Sequence, residues 1–287
     1  MLKHFIKYHS LGNDFIVYDW YKKPHVFVHN TLMDSGWVQF VKEVCDRHFG
    51  VGADGVLIIK STTESSFPEM LIFNADGSQA EMCINGLRCV AHYLFSHHHT
   101  QEKFKVSIGK RTIDCSIFTD KNKSDYIEIE TTSENALYHK AVELQLNNNT
   151  FTGHIVSVGN PHFVIFQQCD QSWLMEHGKE FEQHHLFPER TNVEFVWEDV
   201  AYTYQKITYK TYRLLVYERG CGITLSCSSG VAATLWALFH LGKIKKGEHI
   251  AVNMLGGTVI GHITALETIV LQASAAIIYR GDLEHKE

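Results

Sequence analysis

The sequence predicts an α+β fold made of two pseudo-symmetric domains, and three observations point to it. The chain has 287 residues, long for one core and natural for two domains of ordinary size. Strand-like runs bounded by Gly, Asn and Asp turns are interleaved with segments of helical spacing. One arrangement also occurs twice: an apolar run, a Gly/Asp/Asn-rich turn, then a helix headed by Cys-x-x-Gly, at Cys83 and again at Cys227. One such cysteine says little. Two in matching settings suggest a paired machine.

Taken in order, Phe5 to Tyr18 reads as a hairpin, with the turn Ser10-Leu11-Gly12-Asn13-Asp14 between two strands. Trp37 to Cys45 places Val38, Val41 and Val44 on one helical face. Between Asp46 and Gly55 stand Gly50, Gly52 and Gly55, followed by the strand Val56–Ile59. That loop lacks the Lys-Ser/Thr of a phosphate loop and does not lead from a strand into a helix, so it reads as a demanding turn near a site. Leu71-Ile72-Phe73 runs into the turn Asn74-Ala75-Asp76-Gly77. The helix headed by Cys83 follows, with Leu87, Val90, Ala91 and Leu94 on one face. Strands are expected around Phe104–Ile108, Thr112–Phe118 and Tyr126–Glu130, the last alternating with period two.

The pattern relaxes between Thr131 and Tyr138, which sets the expected domains at 1–128 and 129–274, with the C-terminal strand, 275–287, joining the first. The second domain repeats the order: strand His154–Val158, turn Gly159-Asn160-Pro161-His162, strand Phe163–Phe166, helix, Arg190-Thr191-Asn192-Val193, strand Glu194–Val196. Tyr212–Tyr217, the turn Glu218-Arg219-Gly220-Cys221-Gly222 and the helix headed by Cys227 complete it.

Composition narrows the function. A formal net charge of −6 argues against a general nucleic-acid surface. No apolar run approaches bilayer length, and Lys3, His4, Lys7 and His9 make the N-terminus unlike a signal peptide, so a cytoplasmic protein is expected. Seven cysteines with no Cys-x-x-Cys fit neither a disulfide framework nor a zinc ribbon. Cys45, Cys115 and Cys169 read as buried small hydrophobes, Cys89 as core packing, and Cys221 as a residue of a glycine-flanked turn. His97, His98 and His99, like His184 and His185, read as solvated runs. Neither has partners at ligand spacing, so no metal is expected.

A thiol at a helix start meets unsatisfied backbone N–H groups and the positive end of the helix dipole, which favours thiolate. A duplicated fold would set two such helix starts face to face, with a cradle of N–H donors suited to a carboxylate. Two thiols on opposite faces of a carbon beside a carboxylate suit inversion of an α-carbon: one thiolate removes the proton, the other thiol delivers one.

These residues resemble the diaminopimelate epimerases, cofactor-independent amino-acid racemases and epimerases. The resemblance runs through His9–Phe15, Arg47–Gly55, Phe73–Arg88, Gly159–His162, Arg190–Val193, Glu218–Gly220 and Cys227–Gly230. It implies two domains, each a mixed or antiparallel sheet wrapped on a central helix, usually in a homodimer. The implied reaction interconverts LL- and meso-diaminopimelate, on the route to lysine and peptidoglycan precursors, without pyridoxal phosphate or metal. By resemblance, Cys83 and Cys227 are the acid/base pair, and Asn85, Gly86, Ser228 and Ser229 cradle the carboxylate at the reacting centre. Asn13, Asn74, Asn160, Asn192, Glu218 and Arg219 hold the substrate, with Arg219 on the distal carboxylate. Asp76, His162 and Glu218 are candidates for tuning the thiols. Proline racemases have His where this chain has Asn85.

Three departures bear on substrate choice. Ile84 and Ser228 stand where the family has Gly after each cysteine, and Ile223 replaces the carboxylate of a Gly-x-Gly-Glu-Thr stretch. They read as packing changes beside an intact pair, or as marks of a racemase for another amino acid such as histidine. A non-catalytic amino-acid-binding homologue is the alternative from another class. A Cys-His hydrolase using His162 leaves one cysteine unexplained.

Overall fold

A computed structural model describes residues 4–20, 35–61, 67–80, 82–98, 101–119, 125–131, 136–147 and 149–284. The chain divides into two compact units, Met1–Ile129 with Ala273–Glu287, and Glu130–Gln272.

The first unit opens with the hairpin β1 (His4–Ser10) and β2 (Asn13–Asp19), whose tight turn uses Leu11 and Gly12 at positive φ. Helix α1 (Ser35–Cys45) leads to β3 (Gly55–Lys60), parallel to β2, and β4 (Glu69–Asn74) returns antiparallel to β3. The two-residue β5 (Gln79–Ala80) folds back on β4, and α2 (Ile84–His98) follows. Strand β6 (Lys103–Ile108) touches β4 in parallel and pairs with β7 (Arg111–Thr119), after which comes β8 (Asp125–Thr131).

The pleat of β3 explains the layering. Val56 and Ile58 face one side, where they pack with Trp37, Val41 and Val44 of α1. Leu57 and Ile59 face the other, where they pack with Leu87, Val90, Ala91 and Leu94 of α2. Strand β3 is therefore apolar without alternation, as a strand covered on both faces must be. The sheet wraps α2, whose residues from Asn85 to Ala91 are buried all round.

The second unit begins with β9 (Leu137–Leu146) and β10 (Asn149–Ser157), a hairpin, followed by β11 (Pro161–Ile165), antiparallel to β10. Helix α3 (Gln171–Glu182), capped by the Asp170 carboxylate on Ser172 N, leads to β12 (Asn192–Glu198), parallel to β11. Strand β13 (Tyr202–Tyr204) turns into β14 (Ile207–Glu218), which lies antiparallel to β12. The two-residue β15 (Gly222–Ile223) folds back on β14 and α4 (Ser228–His240) follows. Strands β16 (Ile250–Met254), β17 (Gly257–Ile263) and β18 (Ile269–Ser274) complete the unit, β16 running parallel to β14. Finally β19 (Ala276–Asp282) pairs antiparallel with β1.

Both units thus run through one topology: hairpin, helix, parallel return, antiparallel strand, two-residue fold-back, cysteine-headed helix. The hairpin partner β9 was not anticipated: six of its ten residues are exposed, and its apolar alternation, Val142, Leu144 and Leu146, is confined to its second half.

The solvated-run expectation fails for His98. It lies four residues after Leu94, on the inward face of α2, and its ring, 7% exposed, meets Asp19 at 3.0 Å. Its neighbour His97 stacks on Tyr93 at 4.3 Å, and His99 lies outside the described residues. Cys45, Cys89 and Cys115 are buried; Cys169 is half-buried instead, and Cys221 is exposed.

Candidate active site

In each unit the two-residue fold-back strand precedes the cysteine and fixes where the helix begins. Cys83 immediately precedes α2, and its Sγ accepts the Gly86 N–H at 3.3 Å. Cys227 is the N-cap of α4, and its Sγ accepts the Gly230 N–H, also at 3.3 Å. A sulfur thus sits where Ser or Asp caps most helices, held on backbone donors at the positive end of the dipole. The glycines have a steric reason. A Cβ on Gly86 would lie 3.6 Å from the Cys83 sulfur and 3.1 Å from Leu57; on Gly230 it would lie 3.4 Å from the Cys227 sulfur and 3.0 Å from a Glu194 oxygen.

Around Cys83, Asn13 offers its side-chain oxygen at 3.9 Å and donates to Asp54 at 2.8 Å. The β1–β2 turn is pinned from behind. Asp14 meets Lys7 at 2.7 Å and Arg47 at 2.7 Å, and Arg47 also meets Asp54 at 2.8 Å. Burial works to raise the Asp14 carboxyl, but Arg47 and Lys7 overcome it and hold the group at about 2. This network accounts for the glycine-rich loop: Lys7 also donates to the Gly52 carbonyl, and a Cβ on Gly55 would strike the Phe73 carbonyl at 2.4 Å.

Asn85 is buried and accepts from Arg88 at 2.8 Å. Arg88 is itself fully buried and also donates to Ser10 Oγ at 3.3 Å; its Nε and second terminal nitrogen lack partners among the described residues. Burial lowers its guanidinium to about 10, against the pull of Cys89 and Cys83. Asn74, exposed at the end of β4, donates to Ser78 at 2.9 Å. The Asp76 carboxylate is engaged by Ser78 N and Oγ at 2.8 and 2.6 Å, which lowers it and ties it to the turn.

Around Cys227 the setting is more enclosed. Burial pushes the Cys227 thiol well up, Glu218 and Glu194 add to this, and Ser229 and the Gly230 N–H oppose it. Glu218 is raised too, first by burial, while hydrogen bonds from Thr224 and Cys227 and the nearby His162 work to lower it. His162 is fully buried between Glu194 at 2.6 Å and Asn160 at 3.0 Å. Asn160 donates to Ser229 Oγ at 3.4 Å, and Ser229 Oγ stands 3.4 Å from the Cys227 sulfur. Ser228 is buried.

The turn carrying Arg219 is held by its backbone. Asn192 accepts the Arg219 N–H at 3.0 Å and donates to the Pro161 carbonyl at 2.9 Å, while Glu182 accepts the Gly220 N–H at 2.9 Å. The Arg219 guanidinium is exposed and touches the Glu189 carbonyl at 3.1 Å.

Sequence reasoning missed Arg88 and Glu194. A charged residue in an apolar helical stripe, or in an otherwise apolar strand, was the available signal. Among the described residues no group of three or more His, Cys, Asp or Glu side chains is arranged to hold a metal ion. Surface cavities of about 410 Å³, beside Tyr93 and Arg280, and about 440 Å³, beside Trp173 and Asp170, are lined by neither cysteine. Size alone does not locate the chemistry.

A sequence model described as diaminopimelate epimerase matches residues 5–135 and 154–277. The diaminopimelate epimerase of Carboxydothermus hydrogenoformans is 32% identical, the alignment covering 97% of this chain and 98% of that one. That of Trichodesmium erythraeum is 35% identical, covering 83% of this chain and 84% of its own. Among solved structures, a PhzF-family phenazine biosynthesis protein of Bacillus anthracis superposes with a TM-score of 0.73 at 10% identity over 99% of both chains, a likeness of fold alone.

Proposed function

The chain belongs to the diaminopimelate epimerase family, and from that premise we propose that it interconverts LL- and meso-diaminopimelate by two-thiol inversion at the α-carbon. The observation that carries this is the repeated helix head: each unit presents a thiol on an equivalent backbone N–H. One thiolate takes the α-proton, leaving the electron pair delocalised into the adjoining carboxylate. The other thiol protonates the carbon from the opposite face, and the roles exchange in the reverse direction. Asn85, Gly86, Ser228 and Ser229 at the two helix heads cradle the carboxylate as its charge grows. Asn13, Asn74, Asn160, Asn192 and Glu218 orient the substrate, and the exposed Arg219 guanidinium takes the distal carboxylate in a charge-assisted contact. His162 and Glu218 tune Cys227.

Ile84 packs against the core of the first unit and Ile223 against that of the second. This supports packing changes rather than a new substrate. The chain acts as a homodimer, for which the half-exposed Ile278 and Tyr279 of β19 offer an apolar contact. It works in the cytoplasm, whose reducing conditions suit seven cysteines held as thiols.

The test is chiral chromatography of LL-diaminopimelate and a panel of amino acids including histidine, with wild type, Cys83→Ala and Cys227→Ala. Diaminopimelate alone is expected to convert, and either alanine variant to lose turnover about 10³-fold or more. Racemisation of histidine instead, ligand binding without turnover, or a fully active alanine variant would overturn the assignment.

A further inference from the structure

A continuous hydrogen-bond chain runs from a buried carboxylate to the Cys227 sulfur. Glu194 meets His162 Nδ1 at 2.6 Å; His162 Nε2 meets Asn160 Oδ1 at 3.0 Å; Asn160 Nδ2 meets Ser229 Oγ at 3.4 Å; and Ser229 Oγ meets Cys227 Sγ at 3.4 Å. Glu194 and His162 have no solvent exposure, and the second Glu194 oxygen has no partner among the described residues. A carboxylate ionised in that position needs a positive charge beside it.

The direction of each link follows from what each atom can do. Glu194 accepts. Asn160 spends its NH₂ on Ser229, so it turns its carbonyl oxygen, another acceptor, to the imidazole. An imidazole between two acceptors carries a proton on both nitrogens. Because Ser229 Oγ already accepts from Asn160, its own hydrogen is available to the sulfur. We infer that Glu194 is a positioning residue for the proposed reaction: as the counter-ion of a doubly protonated His162, it keeps Asn160 and Ser229 turned so that a hydroxyl donor faces Cys227. The inference rests on Cys227 being one of the two reacting thiols.

The groups facing Cys227 are Glu218 from β14, Glu194 from β12, and Ser229 and the Gly230 N–H from α4 itself, with His162 from β11 acting on Glu218. Replacing Glu194 by glutamine exchanges a neutral ion pair for a neutral amide–imidazole pair, so the net charge facing the sulfur is unchanged and Glu218 stays. What changes is direction. A singly protonated His162 donating to the new amide oxygen presents a lone pair to Asn160, whose own amide rotates to donate to it. The rotated carbonyl then captures the Ser229 hydroxyl, and the thiolate loses a donor.

The test is iodoacetamide alkylation of Cys227 against pH, followed by peptide mass mapping in wild type, Glu194→Gln, Ser229→Ala and the double variant. Glu194→Gln should slow alkylation at neutral pH about tenfold and move the profile to higher pH. Ser229→Ala should match it, and the double variant should add nothing further. A folded Glu194→Gln with the wild-type profile, or additive effects, would overturn the inference. Nitrogen-15 spectra of histidine-labelled wild type, with His162 assigned through His162→Gln, give a check that needs no folded Glu194 variant. Both His162 nitrogens should carry a proton; a ring with one bare nitrogen would overturn the inference. Neither measurement uses turnover, so failure to epimerise diaminopimelate and failure of this chain remain distinguishable.

Discussion

Cys83 and Cys227 each accept the N–H of the glycine three residues on, at 3.3 Å in both units, but different groups stand behind them. Strand register makes the comparison residue by residue. Phe15 pairs with Gly55 and Leu57 lies two residues on; His162 pairs with Asn192 and Glu194 lies two residues on. The glycine of each helix head backs onto the second of these, Leu57 in one unit and Glu194 in the other. An apolar pair in the first unit is therefore matched by an ionisable pair in the second. The strand-end residues differ likewise, Asn74 closing β4 and Glu218 closing β14. Conversely, the buried Arg88 lies five residues after Cys83, where α4 has Ala232 after Cys227. Duplication supplies two equivalent caps. Residues at a few equivalent positions set two different fields.

That contrast is broken most strongly at the glycines. Gly230→Ala drives a methyl against a buried carboxylate at 3.0 Å, whereas Gly86→Ala meets a Leu57 methyl, the movable end of a side chain, at 3.1 Å. Gly230→Ala is expected to lose about 100-fold in kcat/KM, from a displaced thiol and a disturbed Glu194. Gly86→Ala should lose less than about tenfold. Steady-state kinetics on the two variants checks the order, and equal losses would mean that the two surroundings do not matter.

A smaller effect concerns acid stability. Asp14 is held at about 2 by Lys7 and Arg47, and the matching turn of the second unit has Pro161 there. A carboxyl lowered on folding stabilises the native state above its unfolded pKa, and that stabilisation is lost as pH falls through the folded value. Its contribution of about 2 kcal/mol should be present at neutral pH and disappear between about pH 4 and pH 2. Asp14→Asn should lower stability at neutral pH by at least that amount and flatten the acid limb of a pH series of urea unfolding curves. An unchanged acid limb would remove Asp14 from the account.

Much of this was legible in the sequence where backbone chemistry is local. Leu11–Gly12, the Asn74–Gly77 turn and the two Cys-x-x-Gly heads need particular backbone geometry, which residue types declare. Contacts that depend on register were not legible. Glu194 reads as one polar residue in a strand until β11 and β12 align it with His162. Arg88 stands in an apolar helical stretch, but its burial shows only once the sheet closes round α2. His98 looked solvated because its partner, Asp19, lies on a distant strand. Strand β9 was hidden because it is mostly exposed and its apolar alternation is confined to Val142, Leu144 and Leu146.

The central claim is that the base which removes the α-proton is not the acid which replaces it. The most direct measurement is the initial rate of deuterium incorporation when LL-diaminopimelate is converted in deuterated water, with product and remaining substrate separated and weighed by mass spectrometry. Meso product should carry solvent deuterium at the inverted centre from the first turnovers, while the remaining LL substrate keeps its protium. Product that retains the original hydrogen would mean one group both takes and returns the proton, and would contradict a mechanism divided between Cys83 and Cys227.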